Sequence, residues 1–152
     1  MEKLFEDCFS ECQADMVSIC LEYVEEQADM IYVYCSHEGK TIHGDFFFTI
    51  SGETVKKHQL NEISNKQHFE YDISEYRQDG ALDIIIEDID KIKTLCKQYN
   101  RDMPTQIKLI YDVNKNSLKA TYSYENFWSD SKTKISPDIF NEWFEEIKNN
   151  NM

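Results

Sequence analysis

The spacing of apolar residues changes repeatedly between a helical period and a strand period, and this order restricts the folds open to the chain. Residues 3–28 carry apolar side chains at steps of three and four, which line one face of a helix. Residues 30–36 and 42–50 alternate instead, as half-buried strands do, and the polar link at 37–40 suits a hairpin turn. A further turn leads to a predicted third strand over 54–60.

The second half of the chain has the same two periods. Residues 73–100 have helical spacing and predict a second helix, either continuous or interrupted near Gly80. Residues 107–113 and 118–124 alternate on either side of an Asn-rich turn, which predicts a hairpin. Ser136 begins the last helix, because it can accept an amide hydrogen bond as N-cap and is followed by Pro and Asp, which favour a first turn.

These elements predict a single α+β domain over residues 1–152, in the order α-β-β-β-α-β-β-α. The chain has only four Gly and two Pro, which leaves little sequence for an interdomain linker. Because hairpins join the strands, we expect a mainly antiparallel sheet of about five strands, with helices packed on one face. The pattern does not define the order of the strands.

Negative charge is concentrated in two parts of this chain, whose formal net charge is −13. Residues 1–30 hold nine carboxylates against Lys3 alone, and residues 70–90 hold eight against Arg77 alone, whereas 91–126 carry seven Lys and Arg. An acidic helical surface favours a basic partner and disfavours direct binding of nucleic acid, since phosphates would be repelled. Two other readings stay open: the charge keeps the protein soluble, and part of it suits the dipole of the second helix.

The N-terminal segment is acidic and has no apolar run, so it does not resemble a signal peptide. No stretch approaches the roughly 20 apolar residues of a membrane span. We therefore expect a soluble cytoplasmic protein that does not bind membranes. The five cysteines, an odd number without a Cys-x-x-Cys pair, are expected to be reduced and mostly buried: Cys8, Cys12, Cys20, Cys35 and Cys96.

The sequence contains no recognisable catalytic or metal-binding signature. Cys35, His37 and His43 flank one hairpin and could converge, but a fourth zinc ligand at a recognisable spacing is missing. No Gly-x-Ser-x-Gly motif and no phosphate-binding Gly-rich loop is present, and adjacent carboxylates on a helix point in different directions. We expect no enzyme activity, cofactor or metal. The alternative hypothesis is a small hydrolase that uses Cys35 or a carboxylate.

A tyrosine-rich strand runs into a loop with two adjacent aromatic residues, Phe127 and Trp128, flanked by acidic residues. Aromatic anchors beside carboxylates are typical of a surface that binds a basic protein. The alternative is that Phe127 and Trp128 cap the core under the last helix.

Several segments resemble those of a known family. They are DFFFTI at 45–50, GETVKKHQL at 52–60, NRDMPTQIKLIYDV at 100–113, SLKATYSYE at 117–125 and DIFNEWFEE at 138–146. Together they are similar to the YezG-like family of bacterial immunity proteins, whereas the N-terminal helix with its three cysteines matches nothing in that pattern. The resemblance implies an antitoxin that neutralises a cognate polymorphic toxin of a contact-dependent inhibition system, often a nuclease.

An immunity protein of this kind inhibits by stoichiometric binding, either over the toxin's active site or beside it. We expect the partner-binding residues to be carboxylates that pair with Lys and Arg of the toxin, together with one apolar anchor, Trp128. The predicted set is Asp83, Glu87, Asp90, Glu125, Trp128 and Asp130. The alternative function is a non-enzymatic adaptor or regulatory module that binds a host protein, or a second copy of itself, through the apolar stripe from Leu82 to Tyr99.

Overall fold

The computed structural model describes residues 4–64 and 69–150. The helices are α1 (Phe5–Tyr23), α2 (Glu75–Gln98) and α3 (Ser136–Asn150), and a 3-10 helix spans Lys57–Glu62. The strands are β1 (Met30–Glu38), β2 (Thr41–Ile50), β3 (Glu53–Lys56), β4 (Gln106–Asp112) and β5 (Ser117–Ser123).

The five strands form one antiparallel sheet in the order β3-β2-β1-β4-β5. The first strand is therefore central: β1 pairs with β2 along its whole length, from Met30↔Thr49 to Glu38↔Thr41, and with β4 on its other side. The predicted α+β class, element order and antiparallel sheet are confirmed. β1 is central because the β4–β5 hairpin pairs with the edge of β1 that lies opposite β2.

The helices cover both faces of the sheet, so the expected packing on one face is wrong for α3. Ile31 and Val33 face α1 and α2 in the main core, whereas Tyr32 and Tyr34 point to the opposite face. There, the ring of Phe47 lies among three aromatic rings of α3, with centroids 5.7 Å from Phe140, 5.1 Å from Trp143 and 5.2 Å from Phe144. The central strands carry large apolar or aromatic side chains on both faces, and a second layer is needed to remove them from water.

Helices α1 and α2 run antiparallel to each other across the first face. The ring of Phe5 at the start of α1 lies 5.7 Å from that of Tyr99, just beyond the end of α2. At the opposite end, Nη2 of Arg77 donates to the backbone carbonyls of Glu22 and Tyr23, at 2.9 and 3.3 Å. The two helices therefore lie side by side along this face of the sheet.

Two local predictions differ from the structure, and the question left open at Gly80 is answered. The first helix ends at Tyr23 instead of extending to residue 28, because Glu25 and Glu26 adopt positive φ angles of 52° and 62°. The third strand stops at Lys56, where the 3-10 helix begins. Helix α2 continues through Gly80 without interruption.

Candidate partner-binding surface

Residues 79–90 of α2 present a row of carboxylates to solvent. Asp79, Asp83, Glu87 and Asp90 are all exposed, and we call them the acidic ridge. They fall on the outer side of the helix because Ile85, Ile89 and the other apolar residues at helical spacing are buried against the sheet. None of the four forms a salt bridge with another residue in 4–64 or 69–150.

A groove of about 450 Å³ lies between the acidic ridge and the C-terminal half of α1. We call it the α1–α2 groove. Glu22, Asp79 and Asp83 contribute carboxylates to its lining, and Tyr76, 91% exposed, stands beside them. Its apolar lining includes Ile19, Ala81 and Ile84.

The loop that holds Trp128 is attached to the end of β1 by a buried carboxylate. Glu38, 2% exposed, accepts hydrogen bonds from the backbone amides of Phe127 (2.9 Å), Trp128 (3.3 Å) and Ser129 (2.9 Å), and from the Ser129 hydroxyl (2.7 Å). The indole Nε1 of Trp128 donates to Oγ of Ser36 at 2.9 Å. Trp128 is therefore half-buried and fixed at the edge of β1, with part of its ring still accessible.

The electrostatics of Glu38 follow from these contacts. Burial alone would raise its pKa, but the donors from Ser129, Phe127 and Trp128 outweigh burial and hold the pKa below its ordinary value. Glu38 is therefore an ionised carboxylate that closes the loop, a role that sequence reasoning did not find.

The other two predicted residues in this loop are exposed. The backbone carbonyl of Glu125 accepts a hydrogen bond from Thr105 Oγ1 at 2.6 Å, which leaves the side chain outside. Oδ2 of Asp130 accepts one from Nδ2 of Asn126 at 2.9 Å. Both carboxylates are therefore available to solvent on an ordered loop.

The structure places the predicted residues in two groups that approach the same end of β1 from opposite faces of the sheet. Burial, together with Lys93, lowers the pKa of His37. Asp90 is near enough to act on the same group in the opposite direction. Trp128 is hydrogen-bonded to Ser36, which comes just before His37 in β1 and points its side chain to the opposite face of the sheet. Asp83 and Glu87 extend away from this end along α2.

A second concave region lies where the N-terminal half of α1 meets β5. It has a volume of about 480 Å³, and its aromatic lining comprises Phe5, Phe9, Tyr122 and Tyr124. The buried Gln13 donates to the hydroxyl of Tyr122 at 2.7 Å, and Arg101 is paired with Glu6 at 3.1 Å. The tyrosine-rich strand predicted as unusual thus forms part of a surface concavity next to Glu125.

The nucleophiles near the sheet are enclosed. Cys35 is buried with its thiol 3.5 Å from the Met16 sulfur. Burial raises the pKa of the thiol, whereas a reactive cysteine has a lowered pKa. Nδ1 of His43 lies 2.7 Å from Oγ of Ser136, a nucleophile–base geometry that the sequence did not predict. Ser136 is only 4% exposed, and its hydroxyl also contacts that of Tyr34 at 3.1 Å. The hydrogen bonds of Ser136 to His43 and Tyr34 therefore join α3 to the sheet.

Within the described parts of the chain, no group of three or more His, Cys, Asp or Glu side chains is placed to hold a metal ion. None of the described helices is both long enough and apolar enough to span a membrane. No protein-family model and no curated protein matches this chain.

Proposed function

We propose that this chain is an immunity protein that neutralises a cognate polymorphic toxin, most simply a nuclease, by tight stoichiometric binding in the cytoplasm of the producing cell. The observation that carries the proposal is the acidic ridge, whose exposed carboxylates have no salt-bridge partner among the described residues. The resemblance to YezG-like immunity proteins supports the same function from the sequence side.

A nuclease needs a basic surface to hold phosphates, and an acidic protein can occupy that surface. Opposite charges raise the rate of association, and a well-packed contact slows dissociation. Inhibition then requires no chemistry from the inhibitor. The enclosed positions of Cys35 and Ser136 agree with a function that rests on binding.

The test is a comparison of partner capture by three versions of the tagged full chain from lysate of the source bacterium, at moderate salt. The wild type should retain a basic toxin domain in stoichiometric amount, identified by mass spectrometry. Glu87→Lys/Asp90→Lys should lose it, because each reversal replaces an attraction with a repulsion. A matched control, Glu145→Lys/Glu146→Lys, makes the same charge change on exposed residues of α3 and should still capture the toxin.

The dissociation constants of the captured toxin domain for the wild type and the variants then measure how much the acidic ridge contributes to binding. The ridge variant should bind at least about tenfold more weakly, with most of the effect in the association rate and with a smaller salt dependence. Unchanged affinity in this variant, with an unchanged melting temperature, would remove the ridge from the proposed interface. Capture of housekeeping proteins alone would favour the adaptor function.

A further inference from the structure

Gly80 occupies the exposed side of α2 without a structural need for glycine. The helix continues through it with no positive φ angle, and a Cβ built at this position meets no other atom within 4 Å. Glycine inside a helix costs about 1 kcal/mol relative to alanine. Packing within the described chain therefore does not explain why position 80 is a glycine.

The space above Gly80 belongs to the α1–α2 groove. Gly80 lines this groove between Asp79 and Asp83, which are exposed members of the acidic ridge. A larger side chain at Gly80 would take up part of this space, because Gly80 lines the groove and an added Cβ would meet open space. The missing side chain thus leaves open space in the part of the groove that these two residues line.

The cation already present in the groove is directed elsewhere. Nη2 of Arg77 is bound to the last carbonyls of α1, and its guanidinium carbon lies 5.6 Å from the ring centroid of Tyr23. The groove therefore keeps three carboxylates, those of Glu22, Asp79 and Asp83, against one cation that caps a helix. The exposed ring of Tyr76 adds a face that can attract a further cation.

We propose that the α1–α2 groove binds an arginine side chain of the basic protein partner. This inference rests on the proposed function and specifies which part of the surface recognises the partner. The guanidinium would stack on Tyr76 and pair with Asp79 and Asp83, while its aliphatic stem would lie in the space above Gly80. Arginine is favoured over lysine because its planar, weakly hydrated group pairs with carboxylates and stacks on aromatic rings.

The test uses a defined probe, an acetylated and amidated peptide of alternating glycine and arginine with three arginines, and the matching lysine peptide. Binding to the isotope-labelled full chain is followed by NMR. Amide shifts should concentrate at residues 19–22 and 79–84, and the arginine peptide should bind about two- to fivefold more tightly than the lysine peptide, as expected for an exposed stacking contact.

Variants separate the groove from general attraction to an acidic protein. Gly80→Leu should fill the groove and abolish the preference for arginine, whereas Thr94→Leu adds the same side chain to an exposed site later in α2 and should keep it. Gly80→Ala should raise the melting temperature. Tyr76→Ala, a change at a ring that is exposed in the free protein, should weaken the arginine peptide about two- to fivefold.

Equal binding of the two peptides, with shifts spread along the whole of α2 and no effect of Gly80→Leu or Tyr76→Ala, would overturn the groove proposal. That result would leave the proposed function intact, because the function is tested separately by toxin capture with the Glu87→Lys/Asp90→Lys variant. Loss of arginine preference in both Gly80→Leu and Tyr76→Ala, with folding retained, would support the groove whatever the identity of the toxin.

Discussion

The carboxyl group of Asp88 on α2 lies across the helix pair from that of Asp15 on α1, close enough for Asp15 to act on its pKa. Asp88 is 1% exposed, and its Oδ2 atom has no hydrogen-bond partner in the described structure. The nearest cation, Lys91, is 4.0 Å from Oδ1. Burial, followed by the contact with Asp15, raises the pKa of Asp88 to about 7, so the helix pair retains a proton that the unfolded chain releases near pH 4.

This pair predicts a specific pH dependence of stability. Between about pH 4 and pH 7 the folded state binds more protons than the unfolded state, so the contribution of Asp88 to stability falls as pH rises through that window. Asp88→Asn keeps the group neutral and lets it donate to Asp15. At pH 8 we expect the variant to be more stable than the wild type by about 1–3 kcal/mol, with a smaller gain at pH 5.

Urea unfolding at pH 5 and pH 8 checks this prediction. The control is Asp83→Asn, which removes one negative charge from an exposed site on the same helix. A gain at pH 8 that is the same in both variants would show that general charge repulsion is the cause, and that Asp88 titrates normally.

Gly44 and Ile85 set the distance between β2 and α2. A Cβ at Gly44 would lie 2.6 Å from Cγ2 of Ile85 and 3.4 Å from Cδ1 of Ile89, so Gly44→Ala should push the helix from the sheet. We expect it to cost about 1–3 kcal/mol of unfolding free energy, as overpacking of a core does. Denaturant unfolding measures this cost.

A double-mutant cycle tests the cause of that loss. Ile85→Ala removes the atom that Gly44→Ala would strike, and by itself should cost about 2–5 kcal/mol through the cavity it leaves. The double variant should be less destabilised than the sum of the two single changes, because the added methyl enters that cavity. Strict additivity would contradict a direct contact.

The sequence predicted most elements because each has a clear period over several turns or residues. It also predicted that Asp83, Glu87 and Asp90 are exposed, since the apolar stripe of α2 determines which side of the helix faces the sheet. The placement of α3 was not predictable in the same way. Tyr32 and Tyr34 alternate with aliphatic residues, and their pattern is compatible with either a solvated face or a second core.

The contact between Glu38 and the loop at Trp128 could not be predicted from local sequence patterns. The two residues are 90 positions apart, and each stands in a segment whose own pattern gives no sign of the other. Similarly, Asp88 and Asp15 occupy separate helices, and only the antiparallel packing of α1 and α2 brings them together. Spacing within a segment identifies faces, whereas the pairing of faces depends on the tertiary fold.

Light scattering tests the adaptor alternative in its homodimeric form. Ile85, Ile89, Ile92 and Cys96 of the apolar stripe are buried in the chain's own core, so they are not available as a helix–helix seam between copies. We expect this stripe to contribute nothing to self-association and the protein to be monomeric at low micromolar concentration. A dimer that is lost on Ile86→Glu, at an exposed neighbouring position, would instead show that the outer face of α2 mediates association.

Removing the charge of Glu38 should release the loop that carries Trp128. In Glu38→Gln, an NH2 group replaces one carboxylate oxygen, so either the amide of Phe127 loses its acceptor on Oε2 or the donors of Trp128 and Ser129 lose theirs on Oε1. We expect a loss of about 1–3 kcal/mol at pH 7. Because the folded pKa of Glu38 is below its ordinary value, this difference should shrink as pH falls through that folded pKa.

Tryptophan fluorescence reports the loop directly. Glu38→Gln should shift the emission of Trp128 to longer wavelength and increase its quenching by acrylamide, while the buried Trp143 contributes a constant background. The assignment is checked in a Trp128→Phe background, where Glu38→Gln should leave the remaining emission unchanged. An unchanged spectrum in the single variant, together with unchanged stability, would mean that the loop holds its place without the carboxylate.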